Sequence, residues 1–370
     1  MRYLQTIELK EVVMRAGWIV SFVLLISLSA VAKQLPLEKL KMPAGFQISV
    51  WAQVPGARSL AQAPDGRIFV GSRSGDKVYV VKDGKTSIFA QGLDTPNGVA
   101  YKDGKLYVAE IARIHEFDAS PNVKLPAKPL RALPQSFPSD THHGWKFIRF
   151  GPDGKLYVPV GANCNICDPG TDYARIYRID VNGTSKEEVA SGVRNTVGFD
   201  FHPQSKELWF TDNGRDWMGD DRPPCEVNRL TKTGQNFGFP FCHGKDTLDP
   251  DFGKGKKCSD YVAPVVELRA HVAPLGMRFY TGSQFPAPYK DSIILAEHGS
   301  WNRSTPQGYR LTFVKLNGSN VEKTESFIEG WLQGDSSWGR PVDVEVLPDG
   351  SMLISDDKAG VIYRLIYKVK

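Results

Sequence analysis

Ala63-Pro64-Asp65-Gly66-Arg67-Ile68-Phe69-Val70, Gly151-Pro152-Asp153-Gly154-Lys155-Leu156-Tyr157-Val158 and Leu347-Pro348-Asp349-Gly350-Ser351-Met352-Leu353-Ile354 are one phrase written three times. Lys102-Asp103-Gly104-Lys105-Leu106-Tyr107-Val108 is a shorter copy. Asp-Gly accepts the backbone of a tight turn, and the apolar alternation after it suits a strand. Two degenerate copies fit between these. One is His202-Pro203 before Glu207-Leu208-Trp209-Phe210; the other is Pro286 to Tyr289 before Ser292-Ile293-Ile294-Leu295. Strand repeats of roughly 40–50 residues point to propeller blades. Six copies predict an all-β, six-bladed β-propeller, with insertions in the later blades. Two packed sandwiches are the all-β alternative, but a recurring turn-strand unit favours the ring. In a ring, loops at one end of the channel converge on one pocket, so functional residues are expected from distant segments.

Composition agrees with this reading. Of 370 residues, 35 are Gly and 25 Pro, which favours turns over a helical bundle. A formal net charge of +5 is spread along the chain without a basic cluster, so nucleic-acid binding is not expected.

The N-terminus reads as an address. Arg2, Lys10 and Arg15 precede an apolar run from Gly17 to Leu28, and Ala30-Val31-Ala32 stands ahead of Lys33. That order is a secretory signal, 1–32, with a single propeller domain over 33–370. The run is short for a membrane span, so no stable span is expected after cleavage. A retained N-terminal anchor is the alternative. Either way the body is expected outside the cytoplasm, periplasmic or secreted. In an oxidising compartment the five cysteines should pair where geometry allows. Cys242 and Cys258 bracket a loop that they are expected to close. Cys164-x-x-Cys167 is followed by Asp168, not His, so haem attachment is not signalled and a local disulfide is expected. Cys225 is left over.

Polar residues gather where strands should end in loops. Asp140, His142 and His143 precede Trp145-Lys146-Phe147; Arg194-Asn195 opens the next inner segment; Asp212-Asn213-Gly214-Arg215-Asp216 follows a strand. His271 precedes Val272-Ala273-Pro274, Glu297 to Arg303 follows Ile293 to Ala296, and Trp338-Gly339-Arg340-Pro341-Val342-Asp343 ends the set. A pocket rich in His and Arg suits an anionic cofactor that handles hydride or protons. Trp145, Trp209 and Tyr157 are expected in the core between blades. Asp220-Asp221 is expected in a solvated loop. For Arg194 the plainer alternative is a salt bridge between blades.

These segments resemble the glucose/sorbosone dehydrogenase family, which includes soluble quinoprotein glucose dehydrogenase and the aldose sugar dehydrogenases. The resemblance rests on His143-Gly144-Trp145-Lys146-Phe147 through Gly151-Pro152-Asp153-Gly154, and on Gly192-Val193-Arg194-Asn195 through Gly198-Phe199. Thr211-Asp212-Asn213-Gly214, Glu226-Val227-Asn228, Asn236-Phe237-Gly238-Phe239-Pro240 and Gly339-Arg340-Pro341-Val342-Asp343 follow in order. It implies a six-bladed propeller using pyrroloquinoline quinone (PQQ) and Ca2+ to oxidise a small-molecule sugar or aldehyde. An external acceptor then takes the electrons. It further implies His143 as the base for the C1 hydroxyl while hydride passes to the quinone. Arg194, Asn195, Asn213 and Arg340 fall at cofactor-binding positions, with His271, His298 and Arg303 as further candidates. The backbone carbonyls of Gly214 and Arg215 match calcium ligands. Cys225 stands where the family usually has Asp, and the Arg215 to Pro224 insertion is long. The pocket therefore resembles the sorbosone branch more than the glucose enzyme. A secreted propeller that only binds carbohydrate or protein is the rival reading. A calcium-dependent lactonase is a third, and would want carboxylates converging on the channel.

Overall fold

The structure is a computed structural model and describes residues 35–368. The signal segment and its cleavage site lie outside the described residues. Six antiparallel sheets form the blades. The first runs through Ala57–Gln62, Ile68–Ser72, Lys77–Lys82 and Lys85–Gln91. The second uses Gly98–Lys102, Lys105–Ala109, Ile114–Asp118 and Pro129–Ala132. The third uses Arg149–Phe150, Leu156–Val160, Arg175–Ile179 and Lys186–Ser191, with Gln235–Asn236 added parallel at its edge. The fourth uses Phe199–Phe201, Leu208–Asp212, Pro224–Leu230 and Val266–Ala270, and the fifth Pro274–Phe279, Ile293–Glu297, Arg310–Asn317 and Asn320–Ile328. In the sixth, Pro341–Val346, Met352–Asp356 and Val361–Tyr367 are completed by Phe46–Gln53 from the other end of the chain. The predicted six-bladed propeller is the observed fold. Among the described residues, the helices are three short 3-10 turns.

Every copy of the repeated phrase is the hairpin joining the first strand of a blade to its second. Asp65-Gly66, Asp103-Gly104, Asp153-Gly154 and Asp349-Gly350 fill four of these turns, and the two degenerate copies fill the others. In each full four-residue copy, the aspartate accepts the backbone N–H two residues on, as Asp153 does from Lys155 at 3.1 Å and Asp349 from Ser351 at 3.0 Å. The motif thus builds the turn with its own side chain. The strand that follows is buried on both faces: Leu156–Val160, Ile293–Glu297 and Met352–Asp356 have every residue buried. Trp209 and Tyr157 pack there, as expected.

The channel is not empty. Arg149 of blade three donates to Glu345 of blade six at 3.0 Å, and these blades face each other across the axis. Arg278 of blade five joins the same carboxylate at 3.0 Å and lies 3.5 Å from Asp343. Asp343 also accepts the N–H of Leu60, from blade one, at 2.9 Å. Buried charges are tolerated when each has a partner, and this set links four blades through the axis. It closes the channel between a cavity of about 630 Å³ at one end and one of about 440 Å³ at the other.

Both expected disulfides form, Cys164–Cys167 and Cys242–Cys258. Cys225 is free and buried.

Candidate active site

In an antiparallel blade, the start of the first strand and the end of the second lie at the same end of the ring. The larger cavity is built at that end. His143, Arg194, Asn195, His271 and Arg340 come from segments leading into first strands; Asn213, Gly214 and His298 come just after second strands. All eight line the one cavity.

His143 occupies the tip of the loop before Arg149–Phe150, with a positive φ of 50°. Room for it comes from Gly161, where a Cβ would lie 2.7 Å from the Cβ of His143. Its Nδ1 donates to the carbonyl of Ala162 at 2.9 Å, which fixes the tautomer and leaves Nε2 with its lone pair. Burial, then the nearby Arg194 and His142, lowers its pKa well below the ordinary 6.5, so the ring is neutral at neutral pH. Beneath it, buried Lys146 ties the loop down, donating to the carbonyl of Gly144 at 2.9 Å and to that of Ile111. Burial brings this lysine down to about 7.

Asp212 organises the next wall. Its carboxylate accepts the N–H groups of Arg194 at 2.8 Å, Asn195 at 2.6 Å and Asn213 at 2.9 Å. Arg194 in turn donates to the carbonyl of Asn213 at 3.0 Å and to the side chain of Asn165 at 2.8 Å. Arg194 therefore links blades three and four through neutral acceptors rather than a salt bridge. Asn213 spends its amide N–H groups on the carbonyls of Asn195 and Pro274, at 3.0 and 2.9 Å.

His271 has both ring nitrogens engaged, by Asp216 at 3.3 Å and the carbonyl of Gly219 at 2.8 Å. The hydrogen bond to Asp216 raises its pKa. It can meet a ligand through its ring face but has no free nitrogen. His298 is held by Asp357 at 2.9 Å, and burial lowers it to about 4. Arg340 donates to the carbonyls of His298 and Gly299, at 2.9 and 2.7 Å. Burial, and further off the charge of Arg58, lower its pKa.

The side chains of two candidates point elsewhere. Arg303 is not on the cavity wall; it pairs with Asp221 at 2.8 Å and pins the inserted loop. The side chain of Arg215 is buried against Asp249 and Asp251, at 2.7 and 2.9 Å. Asp221 is exposed, as a solvated loop should be, though it carries this ion pair.

Sequence reasoning missed Arg58, Arg73 and Asn165, named Asp216 only within its polar run without a role, and misplaced Trp145. Trp145 lines the cavity, with the guanidinium of Arg73 stacked 3.7 Å from its ring, rather than filling the core between blades. Blade one holds none of the segments that carry the family resemblance, so the resemblance did not point there. Arg73 does follow directly on the strand Ile68–Ser72, as Asn213 follows Leu208–Asp212, and that shared register was the available signal.

The wall holds four arginines, Arg58, Arg73, Arg194 and Arg340, against one aspartate, Asp216. The indole Nε1 of Trp145 is buried without a hydrogen-bond partner. Crowded cations and an orphaned donor round a cavity fit an anion rich in acceptors, as a tricarboxylate quinone is. Gly214 and Asp216 bring hard oxygen donors to the same wall, the type calcium takes. Cys225 also reaches the wall, as a neutral thiol, its pKa raised to about 11 by burial.

A six-bladed propeller with a cation-walled cavity at one end is the class that fold and site define, and sequence similarity gives the family. The signature described as Glucose / Sorbosone dehydrogenase matches residues 102–364, and the chain belongs to that family. An uncharacterized protein of Borreliella burgdorferi is 35% identical over 95% of this chain and 97% of its own length. A pyrroloquinoline quinone-dependent pyranose dehydrogenase of Coprinopsis cinerea is 42% identical over a 53-residue stretch, 14% of this chain and 6% of that protein. Among solved structures, the calcium structure of a Trichoderma reesei enzyme of carbohydrate-active family AA12 superposes with a TM-score of 0.79. It shares 17% identity and is covered in full by 92% of this chain. The PQQ-bound aldose sugar dehydrogenase of Streptomyces coelicolor gives a TM-score of 0.64 at 19% identity, over 89% of this chain and all of its own.

Proposed function

We propose that this protein is an exported PQQ- and calcium-dependent dehydrogenase that oxidises the C1 position of an aldose or sugar aldehyde. The observation that carries the reading is the free Nε2 of a neutral, tautomer-fixed His143 in a cavity walled by four arginines. Bound there, the quinone supplies a two-electron acceptor and calcium supplies positive charge beside it. Arg73, Arg340 and the Trp145 indole would hold the cofactor's carboxylates, and Arg194 and Asn195 its ring oxygens. The carbonyls of Gly214 and Arg215, with Asp216 close by, are the proposed calcium donors. His143 takes the proton of the substrate's C1 hydroxyl at Nε2, so that C1 and its oxygen become a carbonyl as the hydride is lost. Its Nδ1–H stays on the carbonyl of Ala162, which steadies the imidazolium as it forms. An external acceptor then removes the electrons.

The test is reconstitution. Purified protein loaded with Ca2+ and PQQ should reduce a dye with at least one member of a panel of aldoses and aldehydes, and neither additive alone should suffice. Quinone binding without oxidation of any sugar or aldehyde would favour the binding-only propeller, with the neutral Cys225 as the first residue to restore to Asp.

A further inference from the structure

Two tryptophans at the rim of the cavity have no structural task. Trp217 and Trp301 are 64% and 65% exposed, with ring centroids 5.6 Å apart and planes at 81°. Burial is where tryptophan usually goes, and a lone exposed one needs no account; two in contact beside a ligand cavity do. Trp217 also sits at a positive φ of 68°, which a bulky side chain rarely adopts. Such backbone persists only where the surroundings impose it.

Here they do. The backbone N–H of Trp217 donates to Asn302 at 3.0 Å, beside Trp301. Ser304 donates its N–H to Asp220 at 3.0 Å, Arg303 pairs with Asp221, and His271 bonds the carbonyl of Gly219. The inserted loop and the Trp301 loop are thereby fixed to each other, so the backbone segments that carry the two indoles are held side by side.

Their position joins two hollows. Trp301 is on the wall of the cavity that contains His143. Trp217 is on the wall of a separate groove of about 520 Å³, which also presents Arg222, Asp246 and Thr247. Cavity, paired indoles and polar groove form one path across the rim. Flat apolar faces flanked by hydrogen-bonding groups match a sugar ring, which shows C–H on its faces and hydroxyls round its edge.

We propose that this path is an extended substrate site, in which Trp301 and Trp217 stack the second and third rings of an oligosaccharide. The inference rests on the reading of the cavity as a sugar-oxidising site. C1 of the reacting ring must lie at His143, so the reducing end occupies the cavity and the chain runs outward over Trp301, then Trp217, toward Arg222 and Asp246. A docked protein fits less well. Both ends of the path are hollows, and the few exposed apolar side chains between them fall short of the roughly 1,000 Å² a stable protein interface buries.

The experiment compares monosaccharides with their trisaccharides, maltotriose, cellotriose and triacetylchitotriose, on the protein loaded with calcium and quinone. At least one trisaccharide is expected to exceed its monosaccharide in kcat/KM. Trp217→Gly, which suits the positive φ and so adds no backbone strain, should cut that preference by about tenfold, as lost aromatic stacking would. Trp217→Phe should keep most of it. In quinone-free protein, the preferred trisaccharide should shift the tryptophan emission, the monosaccharide should not, and Trp217→Gly should weaken the response, leaving the part due to Trp301. Equal handling of monosaccharide and trisaccharide by the wild type overturns the proposal. So does an equal effect of Trp217→Gly on both. If Trp217→Gly instead slows only reduction of a c-type cytochrome, the pair is an acceptor patch and the proposal fails. An emission response without oxidation of any sugar would sink the catalytic reading while leaving the extended site standing.

Discussion

A single orientation decides what His143 can do. With Nδ1–H committed to Ala162, protonation must occur at Nε2, and burial beside Arg194 makes that costly until a substrate supplies the proton. His143→Ala is expected to lower turnover by at least ~10²-fold while quinone binding, followed by its absorbance, stays near wild type. The same shift sets the pH profile. The base works when neutral, so activity is present above its pKa and is lost as pH falls through it. Since that pKa lies well below the ordinary 6.5, the acid limb of kcat/KM should have its midpoint below 6.5. A midpoint at or above 6.5 would reject the assignment. The place of His143 on the cavity wall was legible through the family resemblance, which its distance to Gly151-Pro152-Asp153 carries. Arg58, Arg73 and Asn165 were not, because their role comes from which blades close round the axis.

At the scale of the element, the hairpins wrote themselves into the sequence. Asp-Gly turns were legible because the aspartate both shapes and bonds the turn. The loops leading to the site were not, since partners such as Asp212 with Arg194 and Asn195, or Lys146 with Ile111, are remote in sequence. The loop from Cys242 to Cys258 is legible through its cysteines, and it has a stability consequence. It holds Asp249, which accepts from Arg215 at 2.7 Å and from His243 at 2.9 Å. Opening a loop of this length frees the unfolded chain by about 3 kcal/mol in the chain-entropy account. The double variant Cys242→Ser with Cys258→Ser should therefore lose roughly 2–4 kcal/mol in denaturant unfolding. An unchanged midpoint would show that Arg215 and Asp249 hold the loop by themselves.

At the scale of the molecule, the ring is shut by one strand. Phe46–Gln53 pairs with Val361–Tyr367, joining the two ends of the described chain. Phe46 anchors that seam, its ring 4.8 to 5.2 Å from those of Phe285, Tyr289, Phe327 and Tyr367. Phe46→Ala should cost about 3–5 kcal/mol, seen as a lowered thermal midpoint, and a loss under 1 kcal/mol would mean the seam is held by backbone pairing alone. The closure itself was not legible, because Phe46–Gln53 lacks the repeated turn and is indistinguishable from an edge strand. Its consequence reaches into the life of the chain. A ribosome or an export pore delivers residues in order, so the first strand made must wait, unpaired, until the last one emerges. The cavity wall spans Arg58 to Arg340, and no partial chain can assemble it. On the proposed reading, quinone and metal would be captured only by the finished chain, after translation and transit, and the supply of cofactor in that compartment would govern how much of the protein is active.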